Sequence, residues 1–492
     1  MVQPTLDEFR ARCRRGNLIP IHREIVADLD TPVSALLKLL QGEHAFLLES
    51  VEGGEKWGRY SFLGSEPSII FRSKDHNVDI YENGEWHHET AENPLDRLRK
   101  LMSRYEPVAD PELPRFFGGA IGYFGYDGVQ FFERVPLEKP DELDLPDTYY
   151  LITDTLVIFD RVRNTMRIVA NVYVPDGVDV DVAYADGVRK IEAVIERLRT
   201  PAVTHTSGPV PSIGEIQSRT SKDEFLDIVD RCKEYIKAGD IFQVVVSQRF
   251  SIQSKVDHFD LYRALRVINP SPYMFFLRLG DFDVVGSSPE LFVRLEGDVV
   301  DARPIAGTLP RGDDEAEDMR NAEQLINDPK EIAEHVMLVD LGRNDVGRVA
   351  VGGSVHVNEF KIIERYSHVM HIVSNVRAKL LPGKDAYDLL EATFPAGTMS
   401  GAPKIRAMEV INEMEPVRRG IYAGSIGYFA YGGNMDQAIT IRTFIAKGET
   451  LYMQAGAGIV YDSVPEREYQ ECWNKARALM RAVERAEEGL DP

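Results

Sequence analysis

A polar segment near the middle of the sequence separates two stretches with different patterns. Residues 200–221, TPAVTHTSGPVPSIGEIQSRTS, are rich in Pro, Ser, Thr and Gly and show no apolar periodicity. This composition is typical of a connector, because these residues favour turns over regular elements. The sequence therefore predicts an N-terminal region over 1–200, a connector over 201–221 and a second region over 222–492.

Strand-like runs dominate the first region, whereas helices and strands alternate in the second. Before the connector, the strand-like runs are Ser61–Arg72, Tyr149–Asp160 and Thr165–Val174, followed by a helix over Val182–Arg199. After it, we predict helices over Lys222–Ala238, Asp328–Leu341 and Pro465–Glu488, and strands over Phe242–Phe250 and Tyr273–Leu279. Hairpin-like strands beside long helices favour an α+β fold over a regular βαβ repeat.

Composition and charge exclude several functions. The chain has 492 residues, of which 43% are hydrophobic, and a net charge of −22 that repels nucleic acids and anionic membranes. An anionic substrate would therefore need local basic groups, backbone amides or a cation. There is no signal peptide and no run of about 18 apolar residues, so we expect no membrane span. Cys13, Cys232 and Cys472 lack metal-site or disulfide spacing, which fits a reducing cytoplasm.

The first of two carboxylate pairs follows Asp328, a residue that can cap a helix. Glu331 and Glu334 then share one face of that helix. Glu331 stands at the capping-box position, three residues after the cap, and this role alone would account for it. Glu334 has no such explanation except a solvated helix face.

The second pair, Glu468 and Glu471, lies near the start of the last predicted helix. Lys475 continues the same stripe, and Ser463 and Glu466 form a possible capping box before it. An acidic face turned to water explains the pair equally well. If the two acidic helices face each other, however, a hard divalent cation such as Mg²⁺ would relieve the repulsion between them.

Two further patterns suit the binding of an anion. Gly456, Ala457 and Gly458 follow a strand-like segment, and their amides could meet a carboxylate, although a tight turn explains them too. Arg442, in AITIRT, alternates with apolar neighbours like a strand residue, and an inward guanidinium suits a carboxylate. Motifs for nucleotide hydrolysis, zinc proteolysis and serine hydrolysis are missing from the sequence.

Nine ordered strings extend from about Ser221 to Arg481. They are IFQVVVSQRF, GSSPELFVR, RPIAGTLPRG, DPKEIAEHVMLVDLGRND, SHVMHIVSNV, AGTMSGAPKIRAMEVI, YAGSIGYF, DQAITIRT and QAGAGIVYDSVPEREYQECWNKARA. Through them the chain resembles the chorismate-utilising enzyme family. The resemblance implies an α+β fold, a layered sandwich of two large antiparallel sheets flanked by helices.

The resemblance also implies a set of site residues. Glu334 and Glu471 match the main Mg²⁺ ligands, and Glu331 and Glu468 match their companions. The residues that match chorismate contacts are Gly307, Thr308, Tyr422, Arg442, Gly456, Ala457, Gly458 and Lys475. Glu290 matches the acid for the leaving hydroxyl, His371 the base for the ring proton, and Thr398 a residue that positions the substrate.

Two positions distinguish activities within the family. Relatives that add water carry Lys where this chain has Gln243, and relatives that form aminodeoxychorismate carry Lys in place of Ala306. The resemblance therefore implies conversion of chorismate and ammonia to anthranilate and pyruvate. Formation of aminodeoxychorismate and a catalytically silent tryptophan-binding subunit stay as alternatives.

The resemblance finally implies regulation and a partner. LLES and NPSPYMFF match two halves of a tryptophan feedback site, with contacts from Ser50, Pro272, Tyr273 and Met274 and with Glu49 nearby. Alone, each string would be a strand end or a proline turn. None of the cysteines lies in a glutaminase-like turn, so ammonia is expected from a separate glutamine amidotransferase subunit, in a heterotetramer of two of each.

Overall fold

The computed structural model describes residues 1–51, 58–201, 210, 214–366 and 369–490. Within these residues, the chain forms two antiparallel sheets of 12 strands each, with helices packed around them. The predicted α+β sandwich of two large sheets is therefore confirmed. In the same residues, no helix is both long and apolar enough to cross a bilayer.

The two sheets are described by the spatial order of their strands. The first sheet contains β1 (Leu18–Val26), β10 (Thr165–Tyr173), β9 (Thr155–Asp160), β3 (Tyr60–Ser65), β2 (His44–Glu49), β13 (Tyr273–Leu279), β14 (Asp283–Ser288), β23 (Thr443–Lys447), β24 (Thr450–Ile459), β12 (Gln243–Gln253) and β11 (Gln217–Ser218), with β20 (Gly401–Ala402) also on β12. The second sheet contains β17 (Ile305–Pro310), β19 (Val369–Lys379), β16 (Val299–Ala302), β15 (Leu291–Glu296), β22 (Met435–Ile439), β21 (Ser425–Ala430), β7 (Gly119–Phe124), β8 (Thr148–Thr153), β4 (Ile69–Lys74), β5 (Asn77–Glu82) and β6 (Glu85–Thr90), with β18 (His356–Arg365) on β19.

The helices lie on the outer faces of the sheets. They are α1 (Leu6–Arg12), α2 (Pro32–Leu39), α3 (Pro94–Met102), α4 (Val180–Arg199), α5 (Lys222–Ala238), α6 (His258–Ile268), α7 (Glu315–Asn327), α8 (Pro329–Gly347), α9 (Ala386–Thr393), α10 (Gly397–Ser400), α11 (Lys404–Met414) and α12 (Pro465–Glu487). Helix α5 and strand β13 begin and end at the predicted residues, and α12 ends within one residue of its prediction.

Two predicted strands are each a pair of strands in different sheets. The run Tyr149–Asp160 contains β8 and β9, which are separated by Asp154 alone, and the run Ser61–Arg72 contains parts of β3 and β4. In the run Ser61–Arg72, the exposed or partly exposed residues 65–68, SEPS, mark the change of sheet. In the run Tyr149–Asp160, both strands are buried, so the apolar pattern continues past Asp154 and hides the crossing. Continuous apolar runs cannot mark such a break.

Most of the hydrophobic core of the described residues lies in three layers, with a small additional cluster between α7 and β19. Residues from the two inner sheet faces, among them Phe46, Leu277, Ile121, Leu151 and Tyr428, form the central layer. Helices α4, α5, α6 and α12 cover the outer face of the first sheet, and α3 and α9 cover that of the second. The order of layers is therefore helices, sheet, sheet, helices.

Residues 1–200 and 222–492 both contribute to both sheets. In the first sheet the two regions meet where β2 pairs with β13, and in the second where β7 pairs with β21. The division of the sequence at 201–221 stays a prediction, since residues 202–209 and 211–213 lie outside the described residues.

We expect Gly122→Ala to weaken the pairing of β7 with β8 in the second sheet. A Cβ at residue 122, in β7, would lie 1.8 Å from the carbonyl oxygen of Tyr149 in the neighbouring strand. The backbone must then shift, so the free energy of unfolding should fall by about 2 kcal/mol or more, measured by chemical denaturation. Gly432→Ala is the control, because nothing lies within 4 Å of its Cβ position. Equal effects of the two substitutions would contradict this account.

Candidate active site

Two of the points at which the chain passes from one sheet to the other lie next to each other. Residues 289–290 join β14 to β15, and residues 440–442 join β22 to β23. The two crossings are hydrogen-bonded to each other. The Ile439 N–H donates to the Glu290 carbonyl at 3.1 Å, and the Ser287 N–H donates to the Arg442 carbonyl at 3.1 Å. Backbone bonds therefore fix Glu290 relative to Arg442.

Arg442 lies in a crossing and not, as predicted, in a strand. It has a φ of +53°, a left-handed conformation that is uncommon for a residue with a side chain. Its apolar neighbours are buried between two sheets, which produced the strand-like pattern. Its Nη1 donates to the carbonyl of Lys475 at 3.4 Å, and no carboxylate in the described part of the chain pairs with it. The guanidinium is thus available to an incoming anion.

Glu290 has the properties of an acid at neutral pH. Its residue is only 8% exposed, and one carboxyl oxygen accepts a hydrogen bond from the Thr398 hydroxyl at 2.9 Å. Burial raises the pKa of Glu290 to about 8, although the Thr398 hydrogen bond and the charge of Lys475 lower it. A protonated carboxyl in this position can transfer its proton to a leaving group.

His371, in β19, is held in one tautomer. Its Nδ1 lies 2.9 Å from the Gly307 carbonyl and 3.1 Å from the Thr308 hydroxyl. Because a carbonyl only accepts, these contacts assign the proton to Nδ1 and leave a lone pair on Nε2. Burial, followed by the charge of Arg442, lowers the pKa of His371, while the Gly307 contact raises it. The neutral imidazole suits a base.

Gly307 occupies a bulge in the β17–β19 pairing, and the Glu331 carboxylate lies beside it. Gly307 has a φ of +65°, and its Cβ would lie 3.1 Å from Oε2 of Glu331. The alternative role for Glu331, a capping box with Asp328, is not formed. Asp328 does cap α8 through its side chain, but its own amide donates to Leu325 and not to Glu331. The carboxylate is therefore turned to the site.

The second predicted capping box is also wrong. Helix α12 begins after Val464, which makes no side-chain cap, and Glu466 forms an ion pair with Lys222 at 2.7 Å. The Ser463 hydroxyl instead accepts the Val460 amide at 3.0 Å and hydrogen-bonds with Glu468. Glu466 is thus engaged away from the cap.

Four carboxylates from α8 and α12 influence one another. Burial raises the pKa of Glu331, and the charges of Glu334 and Glu471 raise it further. Burial likewise raises the pKa of Glu468, with a further increase from Glu471 and a decrease from the Ser463 hydrogen bond. Glu471 of α12 is therefore close enough to Glu331 of α8 for its charge to act on that carboxyl.

The donor set suits Mg²⁺, which prefers oxygen ligands and usually keeps several waters. Glu334 accepts a hydrogen bond from Nε2 of Gln243 at 2.9 Å, and Glu471 pairs with Lys475 at 2.6 Å. Among the described residues no acidic cluster has ready-made metal geometry. The carboxylate oxygens fit the chemistry of the ion, but Glu334 and Glu471 are hydrogen-bonded to side chains of the same protein.

Gly456, Ala457 and Gly458 lie within β24 and not in a turn after it. Strand β12 pairs with this whole segment, whereas the pairing with β23 covers only Thr450–Met453. The Lys475 ammonium donates to the Gly456 carbonyl at 2.7 Å, and the Tyr422 hydroxyl is 3.0 Å from the Gly456 Cβ position. Tyr422, Lys475 and the small residues therefore share one wall of the site.

Sequence reasoning missed a buried arginine behind this wall. Arg419 is 2% exposed and donates to the carbonyls of Met399 and Val245 at 2.7 and 2.6 Å. It thereby links the short helix α10, which carries Thr398, to β12. The spacing of Glu415 and Arg419, an ion pair at 2.6 Å, was the available signal, but the same spacing is common on exposed helices.

The predicted tryptophan contacts line a separate cavity of about 370 Å³ between the sheets. Ser50, Pro272, Tyr273, Met274 and Glu49 all lie on its wall, and Glu49 is opposite Met274 in the β2–β13 pairing. The structure thus brings the two strings together.

The Glu49 carboxylate is already bound by its own chain. It accepts hydrogen bonds from the Tyr262 hydroxyl and from Arg266, both at 2.6 Å, and pairs with Arg161. These contacts tie β2 to helix α6. Glu49 therefore shapes the cavity wall while its charge is neutralised from behind.

We expect Glu290→Gln to remove a pH dependence of stability. Below pH 4.5 the Glu290 carboxyl is protonated in both the folded and the unfolded chain, whereas between pH 4.5 and about 8 only the unfolded chain releases the proton. Relative to the variant, the wild type should therefore lose up to about 1.4 kcal/mol of unfolding free energy per pH unit as pH rises through this window. Denaturant unfolding with a chelator measures it, with the exposed Glu196→Gln as control. If the free energy of unfolding changed with pH in the same way for the wild type and for Glu290→Gln, the raised pKa of Glu290 would be refuted.

Comparisons with known proteins agree with this geometry. Residues 43–481 match the model of a family described as chorismate binding enzyme. The chain is 45% identical to anthranilate synthase component 1 of Acetivibrio thermocellus, over 99% of this chain and 100% of that protein. It is 47% identical to anthranilate synthase component 1 of Aquifex aeolicus, over 99% of each. The crystal structure of anthranilate synthase component I from Streptococcus pneumoniae is similar with a TM-score of 0.77 and 37% identity, over 92% of this chain and 98% of that chain.

Proposed function

Because this chain belongs to the chorismate-binding enzyme family, and within it to the anthranilate synthase component 1 group, we propose that it converts chorismate and ammonia to anthranilate and pyruvate. One observation carries the proposal: Glu290, whose raised pKa keeps it protonated at pH 7, lies at a crossing hydrogen-bonded to that of Arg442. Arg442 has no carboxylate partner among the described residues. Chorismate has two carboxylates, one of which Arg442 can bind, and a leaving hydroxyl, which Glu290 can protonate.

Each residue of the site has a separate role in the proposed reaction. Arg442 and Lys475 bind carboxylate, and Tyr422 and the β24 backbone shape the wall beside them. Glu290 gives its proton to the ring hydroxyl, which leaves as water when ammonia bonds to the ring. His371 then takes the ring proton through Nε2 while the ring becomes aromatic and its bond to the enolpyruvyl oxygen breaks. The enolpyruvate released gains a proton at its methylene carbon and becomes pyruvate.

Gln243 favours ammonia over water as the nucleophile. Its Oε1 is buried and finds no hydrogen-bond partner among the residues described, whereas its Nε2 is held by Glu334. An amide oxygen accepts a hydrogen bond from ammonia and orients its lone pair, but it cannot deprotonate water at neutral pH. Formation of aminodeoxychorismate is disfavoured by Ala306, where those relatives carry a nucleophilic Lys.

Glu334 and Glu471 would hold Mg²⁺, with Glu331 and Glu468 beside them. When bound, the ion would neutralise these carboxylates and bind a carboxylate of the substrate. The support is the convergence of α8 and α12 described above.

Glu334→Gln should abolish Mg²⁺-dependent turnover, because one charged oxygen ligand is lost. Calorimetry should show weaker Mg²⁺ binding, by about tenfold or more, and unchanged tryptophan binding. The control is Glu323→Gln, an exposed residue of the neighbouring helix α7. Normal Mg²⁺ binding by the Glu334 variant would refute the metal assignment.

The cavity of Ser50 and Met274 is proposed as a feedback site for tryptophan. Its mixed lining of aromatic rings and charged groups suits an amino acid with an indole ring. Strands β13 and β14 connect it to the crossings, since Ser287 lies opposite Met274 and donates to Arg442. Tryptophan would stabilise a state of lower chorismate affinity, and chorismate would oppose tryptophan equally.

Ser50→Phe should relieve inhibition by tryptophan, because the added ring fills part of the cavity. We expect the half-inhibitory concentration to rise by about tenfold or more, with activity in the absence of tryptophan close to wild type. Ser103→Phe, at the end of α3, is the control. Unchanged inhibition of the Ser50 variant would show that tryptophan acts elsewhere.

Ammonia is proposed to come from a glutamine amidotransferase subunit, in a heterotetramer of two of each. The name component 1 carried by the relatives supports a partner. The enzyme would work in the cytoplasm, which agrees with three free cysteines.

Anthranilate fluorescence tests the function directly. Purified protein with chorismate, Mg²⁺ and excess ammonium at mildly alkaline pH should produce fluorescence that requires Mg²⁺ and falls with tryptophan. Consumption of chorismate without fluorescence would favour aminodeoxychorismate as product. A complete lack of consumption would favour a silent tryptophan-binding subunit.

A further inference from the structure

A small cavity adjoins Glu290 and reaches from it to helix α8. Its volume is about 50 Å³, and its wall includes Glu290 and Thr398 together with Asp345 of α8 and Thr393 of α9. None of the residues proposed to bind chorismate or Mg²⁺ lies on the described wall. The cavity and the substrate therefore meet Glu290 from different directions. We call this space the α8 cavity.

Asp345 forms a buried ion pair with Lys404 at the wall of the α8 cavity. The Lys404 ammonium donates to Oδ2 of Asp345 at 2.6 Å and to the Thr393 carbonyl at 2.8 Å. The two residues are only 7 and 9% exposed, respectively. Oδ1 of Asp345 has no hydrogen-bond partner within the described chain. This oxygen is therefore available to water in the cavity.

Burial brings the proton affinities of Asp345 and Lys404 closer together. It raises the pKa of Asp345 and lowers the pKa of Lys404, although the charge of each partner opposes the shift of the other. The charge of Arg348 lowers both pKa values, and the charge of Glu133 raises that of Lys404. A proton can therefore move between the two groups more easily than between the same groups in water.

Glu290 and Asp345 are the only carboxyl groups on the described wall of the cavity. The charged residue that lies there beside them, Arg303, forms ion pairs with Glu359 and Glu364. A proton that leaves or enters the Glu290 carboxyl through this space can therefore be exchanged with Asp345.

The α8 cavity has room for water and ends near the protein surface. One water molecule needs roughly 10–15 Å³, and the hydroxyl and carboxyl groups of the wall supply hydrogen-bond partners for it. Asp345 lies in the last turn of α8, where its neighbours Asn344 and Gly347 are exposed. Water can thus connect Glu290 to Asp345, and Asp345 can exchange protons with solvent.

We propose that Asp345 and Lys404 return a proton to Glu290 through water in the α8 cavity after each turnover. The inference rests on the proposed function, because in that reaction Glu290 gives its proton to the leaving hydroxyl. The carboxylate that remains must be protonated again before the next chorismate can react. Asp345 does not touch the substrate and acts through Glu290.

The transfer moves one proton and no electrons. An N–H bond of Lys404 breaks and an O–H bond of Glu290 forms, while Asp345 and water pass the proton along. The pair then regains a proton from solvent at the end of α8. The nitrogen newly bonded to the ring releases one proton when it becomes an amine, so the protons balance over the cycle.

The test compares many turnovers with a single one, at pH 7 and one fixed concentration of ammonium. Asp345→Asn should lower the steady-state rate of anthranilate formation by about tenfold or more, because each further turnover waits for a proton. With enzyme in excess over chorismate, the rate of the single turnover should stay close to wild type, because Glu290 is protonated at the start. Asp340→Asn, at an exposed residue of the same helix, is the control and should change neither rate.

Added imidazole separates proton transfer from a structural role of Asp345. Its cation is a small acid, so a high concentration should restore most of the steady-state rate of Asp345→Asn and leave that of the wild type unchanged. If Asp345→Asn fails to fold, as judged by circular dichroism, the double variant Asp345→Asn with Lys404→Met takes its place, because it leaves no unpaired charge buried.

The outcomes distinguish this inference from the proposed function. A steady-state rate of Asp345→Asn close to wild type, an equal loss of both rates, or no effect of imidazole on the variant would overturn the inference alone. A wild-type protein that forms no anthranilate even in a single turnover would overturn the proposed function, and the inference with it.

Discussion

Two backbone hydrogen bonds between the sheet crossings hold the site together. They join Ser287 to Arg442 and Ile439 to Glu290, so the main chain positions the two residues proposed to bind a carboxylate and to deliver a proton. The strained φ of Arg442 persists because pairing on both sides determines it. Strand β24 and the bulge at Gly307 then complete the walls around these two points.

Charge explains why the site is arranged in this way. A chain with a net charge of −22 repels a dianion at long range, and the four glutamates of α8 and α12 add to that repulsion. Arg442, Lys475 and a bound cation would reverse the sign locally. Burial of Glu290 acts in the same direction, because it keeps this carboxyl neutral at pH 7.

The regular elements followed from the sequence where local patterns decide them. Helix α5 has a capping box at Ser221 and a left-handed glycine at its end, so its bounds could be predicted to the residue. The crossings at Asp154 and at residues 440–442 could not be predicted, because the residues on both sides are buried and hydropathy does not change where the chain changes sheet. The β8–β9 boundary and the environment of Arg442 were missed for this one reason.

The candidate site depended on resemblance more than on pattern. Capping chemistry alone would have assigned Glu331 to the helix end, and only the structure shows its carboxylate beside Gly307. Arg419 had only the ambiguous spacing from Glu415 as a local signal, and the Oε1 of Gln243, unpartnered among the described residues, had none, since burial of a polar group is a property of the tertiary fold. Motif and geometry therefore contributed different residues to one site.

The most direct measurement is a crystal structure of the Glu290→Gln variant with Mg²⁺ and chorismate, since the missing acid should stop turnover with the substrate bound. The account predicts that the Arg442 guanidinium leaves the Lys475 carbonyl for a chorismate carboxylate, with the side chain of residue 290 at the ring hydroxyl. Chorismate bound away from the two crossings, or an Arg442 that keeps its contact with Lys475, would contradict it.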